Sequence, residues 1–202
     1  MDDFISKEDK NRIESGIRSK YVNVADNPKG LFRYPVGRDG LEGLNYDSEL
    51  IESLPDAVAD SYCGVGNPFS LGSIDEGDSV LDIGCGAGVD TIIAAMMTGS
   101  KGLSVGIDMV PEMLSKARSN LELTEMKNVS FQQASGESLP FEDDSFDVVI
   151  SNGVVNLIPD KASAMIEVFR VLRPGGRLMI ADQLMIGDSQ KDLKERVESW
   201  FQ

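Results

Sequence analysis

From residue 79 onward, short apolar runs alternate with stretches of helical period. SVLDI (79–83), LSVGID (103–108), VSFQQA (129–134), FDVVISN (146–152) and RLMIADQ (177–183) read as strands. Four of them are rich in Val, Ile, Leu or Met, the composition of strands covered on both faces. Helices are predicted over about 88–98, 111–124 and 160–172, with Pro111 at an early helical position and Pro159-Asp160 ahead of the third. Pro174-Gly175-Gly176 is expected to break the chain before the last strand. Strands alternating with helices in this way specify an α/β fold on a parallel sheet, doubly wound.

The first 78 residues carry a different pattern. Ser6 followed by Asp9 resembles a capping box, and Ile13, Ile17 and Tyr21 fall on one face of the helix that would follow. Residues 26–46 are rich in Gly, Pro and Asn and are expected to form a long ordered loop, with a further helix over 48–60. The division drawn from the sequence is an amino-terminal helical and loop extension at 1–78, acting as a lid or a packing arm, and an α/β domain at 79–202. At the other end, Leu193, Val197, Trp200 and Phe201 have the spacing of a helix that packs on the sheet through one face.

Charge and composition narrow the partners. The net charge is −15, with 34 acidic against 19 basic residues. Residues 1–40 are nearly balanced, so the acidity belongs to the α/β part, and a phosphate backbone would be repelled. Nucleic acid is therefore not expected as a substrate. The polar amino terminus and the lack of any run of 18 apolar residues give no membrane segment, so a cytoplasmic location is expected. Cys63 and Cys85 are not in a paired metal spacing, and no metal site is expected. The chain has no histidine, which removes Ser–His, Cys–His and His-ligated metal mechanisms together.

The turn after the first strand reads Asp82-Ile-Gly84-Cys-Gly86-Ala-Gly88-Val-Asp90. A glycine turn from strand to helix exposes backbone N–H groups and lets a ligand approach where no Cβ intervenes. The dinucleotide pattern G-x-G-x-x-G would need glycine at Val89, and a phosphate loop would need Lys and Ser/Thr after Gly88; neither condition is met. The second strand ends at Asp108, twenty residues past Gly88, where a carboxylate can accept hydrogen bonds from both ribose hydroxyls. Asp108 also reads as an ordinary acid ahead of the helix at Pro111.

Four motifs follow in order: VLDIGCGAG, GIDMVPEML, LPFEDDSFDVVISN and VLRPGGRLMIAD. Through them residues 79–182 resemble class I S-adenosylmethionine-dependent methyltransferases. The resemblance implies a Rossmann-like sheet of strand order 3-2-1-4-5 and S-adenosylmethionine as cofactor. It implies that Gly84, Gly86 and Gly88 lie beneath the methionine and ribose, with Asp82 near the amino group and Asp108 on the ribose hydroxyls. It also implies that Met109 stacks on adenine and that Ser135, Gly136 and Glu137 flank the adenine amino group, Ser135 standing where many relatives carry Asp. Asn152, at the end of the fourth strand, completes the implied cofactor set.

The segments GVGNP (64–68), SNGVVNLIPDK (151–161) and the helix RSKYVNVA (18–25) are similar to arsenite methyltransferases, whose amino-terminal tyrosine closes over the cofactor. Tyr21 takes that place here; it is equally the third apolar position on its helix. The resemblance places family cysteines at Val65 and Gly153, and Cys63 is displaced by two residues, so a three-thiol site for arsenite cannot be assembled. The expected substrate is a different small-molecule acceptor, with Gly153 and Asn156 on the acceptor side and Tyr34, Arg38 and Tyr46 as lid candidates. No catalytic base is selected by the spacing. The resemblance further implies a helix and two strands after the fifth, for which the residues after 183 are too few. The fifth strand is therefore expected at an exposed edge, covered by the amino-terminal arm or paired in a homodimer. Two readings stay open, an active methyltransferase and a cofactor-binding interaction protein without acceptor chemistry.

Overall fold

The computed structural model describes residues 6–184, so the helix expected around Leu193 to Phe201 lies outside the described residues. Five strands form one parallel sheet: β1 (Ser79–Ile83), β2 (Leu103–Asp108), β3 (Val129–Gln133), β4 (Phe146–Asn152) and β5 (Leu172–Ala181). Their order is β3-β2-β1-β4-β5, the Rossmann-like arrangement expected. Between and before them lie α1 (Lys7–Asp26), α2 (Gly37–Gly43), α3 (Ser48–Ser53), α4 (Asp56–Ala59), α5 (Val89–Thr98), α6 (Pro111–Glu122) and α7 (Lys161–Val171).

Side chains alternate across the sheet because successive strand residues point to opposite faces. Leu81, Ile83, Val105, Ile107 and Val149 pack with Val168 and Val171 of α7, while Val80, Val148 and Ile150 pack with Ala94 of α5. Each such fully buried aliphatic side chain contributes about 1.5–3 kcal/mol. Helix α5 is apolar nearly all round because its outer face is covered in turn. Val89, Ile92 and Ile93 meet Leu41, Tyr46, Ile51, Leu54, Val58 and Tyr62 of the amino-terminal segment, which forms a further layer over the domain. Helix α1 starts at a Ser6 cap that accepts from the Asp9 amide at 3.1 Å, and it buries Ile13, Ile17 and Val24.

Three expectations need correction. The stretch 26–46 contains α2, a helix with glycine at 37, 40 and 43, against propensity. Close approach explains it: a Cβ on Gly40 would lie 2.8 Å from the Pro35 carbonyl oxygen, and the Gly37 amide donates to the Tyr62 carbonyl at 2.7 Å. The helix expected over 48–60 is two short ones, interrupted before Pro55 because the residue ahead of proline is pushed out of the helical region. The fifth strand starts at Leu172 rather than 177. Phe146 pairs with Leu172 and Val148 with Arg177, so the Pro174-Gly175-Gly176 stretch is taken up as an irregularity inside the strand.

The 3-10 turn Pro68–Leu71 packs against β5, and Phe69 joins the cluster around Met179. The amino-terminal segment thus covers part of the last strand, while Leu178 stays 40% exposed. Among the described residues no helix is long and apolar enough to cross a membrane.

Candidate active site

A cavity of about 1120 Å³, including its open mouth, lies at the carboxyl ends of β1, β2 and β4. In open α/β sheets this is where ligands bind, beside the point at which strand order reverses. The reversal here is at β1 between β2 and β4, and the turn after β1 forms the cavity floor.

The glycine turn is shaped by that position. Gly84, Gly86 and Gly88 all have positive φ. A Cβ on Gly84 would fall 2.3 Å from Val154 Cγ2, so the floor needs glycine for space as well as for backbone conformation. The Gly84 and Cys85 amides donate to the Ile107 carbonyl at 2.8 and 2.9 Å, which fixes the turn to β2. Gly88 differs from its neighbours, since it caps α5 away from the cavity wall, where a Cβ would lie 2.6 Å from Phe131 and 3.0 Å from Ala117. Gly88 is not among the residues that line the cavity, and the space beside it is filled by Phe131 and Ala117. Cys85 is buried beneath the turn, with its Cβ against Gly106.

Asp108 lines the cavity, with Oδ2 accepting from the Gly86 amide at 2.9 Å and Oδ1 from the Val110 amide at 2.8 Å. Each oxygen keeps a lone pair for a ligand hydroxyl. Burial raises its pKa while these amides oppose the rise. Asp82 is 2% exposed, and its Oδ2 accepts from Thr91 Oγ1 at 2.6 Å. Burial pushes it well above the ordinary carboxylate range, and the neighbouring Asp90 pushes in the same direction.

Asp90 itself is pushed up to about 6 by burial, against hydrogen bonds from Asn152 and Tyr46 that favour its ionised form. Those bonds belong to a clasp that joins distant parts of the chain. Asp90 accepts from Tyr46 Oη at 2.8 Å and from Asn152 Nδ2 at 2.9 Å. Asn152 also donates to the Gly66 carbonyl at 2.8 Å, and its Oδ1 accepts from the Val65 and Gly66 amides at 2.9 and 3.1 Å. Tyr62 Oη donates to the same Gly66 carbonyl at 2.8 Å. Asn152 therefore lines the cavity with its side chain already engaged, as a holder of loop 64–66.

The other expected residues divide cleanly. Tyr21, Met109, Ser135, Gly136 and Glu137 line the cavity. Glu137 is fixed from two sides, by an ion pair with Lys10 of α1 and by the Asp160 amide at 2.8 Å. Of the lid candidates, Tyr34 lines the cavity and donates to the Cys63 carbonyl at 3.2 Å. Tyr46 is buried in the clasp, and Arg38 pairs with Asp56 at 2.8 Å, so neither reaches the wall. Gly153 lines the cavity but Asn156 does not; the Asn156 amide donates to Asp182 at 2.9 Å.

Sequence reasoning did not single out Glu14, Ile17, Cys63, Gly64, Asp90 and Val154 as wall residues. Asp90 and Val154 sit beside motif residues and could have been found from that. Glu14 and Ile17 reach the wall only because α1 packs across the domain, which no local pattern reports. Val65 and Gly153 are brought together, a Cβ on Gly153 lying 3.1 Å from Val65 Cγ1. Among the described residues no group of His, Cys, Asp and Glu could hold a metal ion.

A glycine turn at the switch point of a parallel sheet, with a carboxylate at the end of the next strand, defines a nucleoside-cofactor site of the Rossmann-like class. The comparisons with known proteins make this specific. Residues 74–202 match the family described as "Methyltransferase domain", and the chain belongs to that family. It falls in the S-adenosylmethionine-dependent, arsenite methyltransferase-like group. An arsenite methyltransferase of Halobacterium salinarum is 43% identical over 155 residues, 77% of this chain and 39% of that protein. A demethylmenaquinone methyltransferase of Lactococcus lactis is 39% identical over 103 residues, 51% of this chain and 41% of that protein. Among solved structures, an arsenic (III) S-adenosylmethionine methyltransferase from Chlamydomonas reinhardtii superposes with a TM-score of 0.56 at 35% identity, over 74% of this chain and 50% of that one. The chain thus spans about two fifths of the length of these two curated relatives.

The cofactor of this group, S-adenosylmethionine, suits the residues present. The floor is glycine backbone that a Cβ would fill, and the wall carries Asp82, Asp90 and Asp108 with no lysine or arginine among the described lining residues. A ligand bearing a sulfonium and an ammonium group matches such a wall.

Proposed function

We propose that this chain catalyses methyl transfer from S-adenosylmethionine to a small-molecule acceptor. One observation carries the reading: the cavity runs continuously from Asp108 and Met109 past Asp82 and Gly84 to Tyr34, Cys63 and Gly153. It therefore has a wall beyond the residues a cofactor needs, which a protein that only binds the cofactor has no use for. In the proposed assignment Asp108 holds the ribose hydroxyls, Gly84 and Gly86 admit the methionine portion, and Met109, Ser135, Gly136 and Glu137 flank the adenine. The group supplies an activated methyl on sulfur. The chain's own part is to hold an acceptor in line with that methyl and to exclude water.

The amino-terminal segment to residue 78 is proposed to act as the cover of this site, since α1 carries Glu14, Ile17 and Tyr21 onto its wall. Arsenite is not the acceptor favoured by these residues. Val65 and Gly153 offer no thiolate, and Cys63 alone cannot enclose As(III), which takes soft sulfur ligands. Methyl-labelled S-adenosylmethionine incubated with the protein and fractionated metabolites tests the proposal. Label should move to a metabolite with wild type and stay in the cofactor with Asp108→Ala; no transfer across all fractions would refute it.

A further inference from the structure

The titratable side chains on the cavity wall are acids, tyrosines and cysteines, though burial pushes Asp82 and Asp90 toward their neutral forms and Glu137 is paired with Lys10. Glu14, Asp82, Asp90, Asp108 and Glu137 line it, with no lysine or arginine among the described lining residues. Lys10, the nearby cation, is paired with Glu137. Walls of low polarity focus such a field into the cleft, so an anion entering it is repelled more strongly than on an open surface. Around Gly153 the wall is apolar as well: Val154 lines it and Val65 fills the space behind Gly153, while Tyr21 lines the cavity beside Met109. Tyr34 Oη is bonded to the Cys63 carbonyl, whereas the Tyr21 hydroxyl lines the cavity with no hydrogen-bond partner among the described residues. Burial, foremost, raises the pKa of Tyr21, so the group stays a neutral donor.

Resting on the methyltransferase reading, we infer that the acceptor is an uncharged molecule with an apolar body, methylated on a lone pair to leave as a cation. The acceptor's lone pair forms the new bond to the methyl carbon as the carbon–sulfur bond breaks with its electron pair on sulfur. The positive charge passes to the acceptor, and no proton needs to leave. Total charge in the cavity is unchanged by the step, so a carboxylate wall favours the cation on either side of it. An oxyanion or carboxylate acceptor would instead have to enter against that wall. A thioether or a weakly basic ring nitrogen has the required chemistry, since neither is protonated near neutral pH, and the aromatic faces of Tyr21 and Tyr34 suit the cationic product.

The test uses the full chain saturated with S-adenosylhomocysteine, titrated in a calorimeter with two probes sharing one apolar body. Benzyltrimethylammonium mimics the cationic product, and phenylmethanesulfonate carries the opposite charge. The cation should bind at least about tenfold more tightly, with the gap narrowing as salt screens the wall. Glu14→Gln, on the partly exposed α1, should narrow the gap by about threefold at saturating S-adenosylhomocysteine. Equal or tighter binding of the sulfonate overturns the inference, as does binding of neither probe to protein that holds S-adenosylhomocysteine. Failure of S-adenosylhomocysteine itself to bind would overturn the underlying reading instead.

Discussion

The two ends of the cavity are built in opposite ways. At the end proposed to hold the cofactor, Asp82, Gly84, Gly86 and Asp108 come from the stretch between β1 and the end of β2, and their contacts are mainly backbone hydrogen bonds within it. At the end proposed for the acceptor, Cys63, Gly64, Gly153 and Val154 come from segments about ninety residues apart, and the Asn152–Asp90–Tyr46 clasp holds them together. A local frame tolerates sequence change elsewhere, whereas an assembled wall changes shape with any of its contributors. A shared cofactor and divergent acceptors are what such a division would produce within one family.

Substitutions can break this contrast. The largest effect is expected for Asp108→Ala, which removes charge-assisted hydrogen bonds of about 1.5–3 kcal/mol each, so affinity for S-adenosylhomocysteine should fall by about 100-fold or more in calorimetry. Asn152→Ala should act on stability first. It strips hydrogen bonds from Asp90, the Gly66 carbonyl and two amides, and the loss should be about 2–4 kcal/mol in denaturant unfolding. Cofactor affinity of the folded variant should drop by less than about fivefold if the clasp serves the acceptor end. Gly88→Ala separates the third glycine from the other two: its Cβ would press on Phe131 and Ala117, costing about 1–3 kcal/mol of stability with cofactor affinity nearly unchanged.

A smaller effect is expected from pH. Asp90 titrates near pH 6, facing Asp82, Tyr46, Tyr62, Asn152 and the Cys63 thiol. A cationic ligand favours the ionised carboxylate, so S-adenosylmethionine affinity should rise as pH increases through about 6 and then level off, with proton release on binding. S-adenosylhomocysteine, lacking the sulfonium, should show a shallower rise. The sign for stability is the reverse: the raised pKa makes Asp90 stabilising below the unfolded value and costs stability as pH climbs through about 6. Arg38→Ala should be the mildest change. Its partner Asp56 is 92% exposed, so less than about 0.5 kcal/mol is expected and cofactor binding should be unaffected.

The same division governs what could be read from the chain. The strands that carry the glycine turn and its neighbours are short apolar runs whose alternation fixes both faces of the sheet, so β1, β2 and β4 were legible, and with them the position of Asp82, Gly84, Gly86 and Asp108 at one cavity. The beginning of β5 was not, because Pro174-Gly175-Gly176 signals a break and only pairing with β4 absorbs it. Helix α2 was hidden by its own glycines, which it needs for contact with Pro35 and Tyr62. Tyr46 shows the limit best: it reads as a lid aromatic in a Gly-rich segment, yet it is 6% exposed and bonded to a carboxylate 44 residues away. Long-range hydrogen bonds between polar residues leave no periodicity. Val65 and Gly153 were legible as departures from relatives, and their adjacency came only with the fold.

Asp108 and the glycine turn are proposed to form the cofactor site on which the rest depends. Calorimetric titration of wild type and Asp108→Ala with S-adenosylhomocysteine addresses it most directly, with circular dichroism showing both proteins folded. One-to-one binding by wild type, weakened by about 100-fold or more in the variant, is the expected result. No binding by wild type, or equal binding by the two proteins, would contradict the claim.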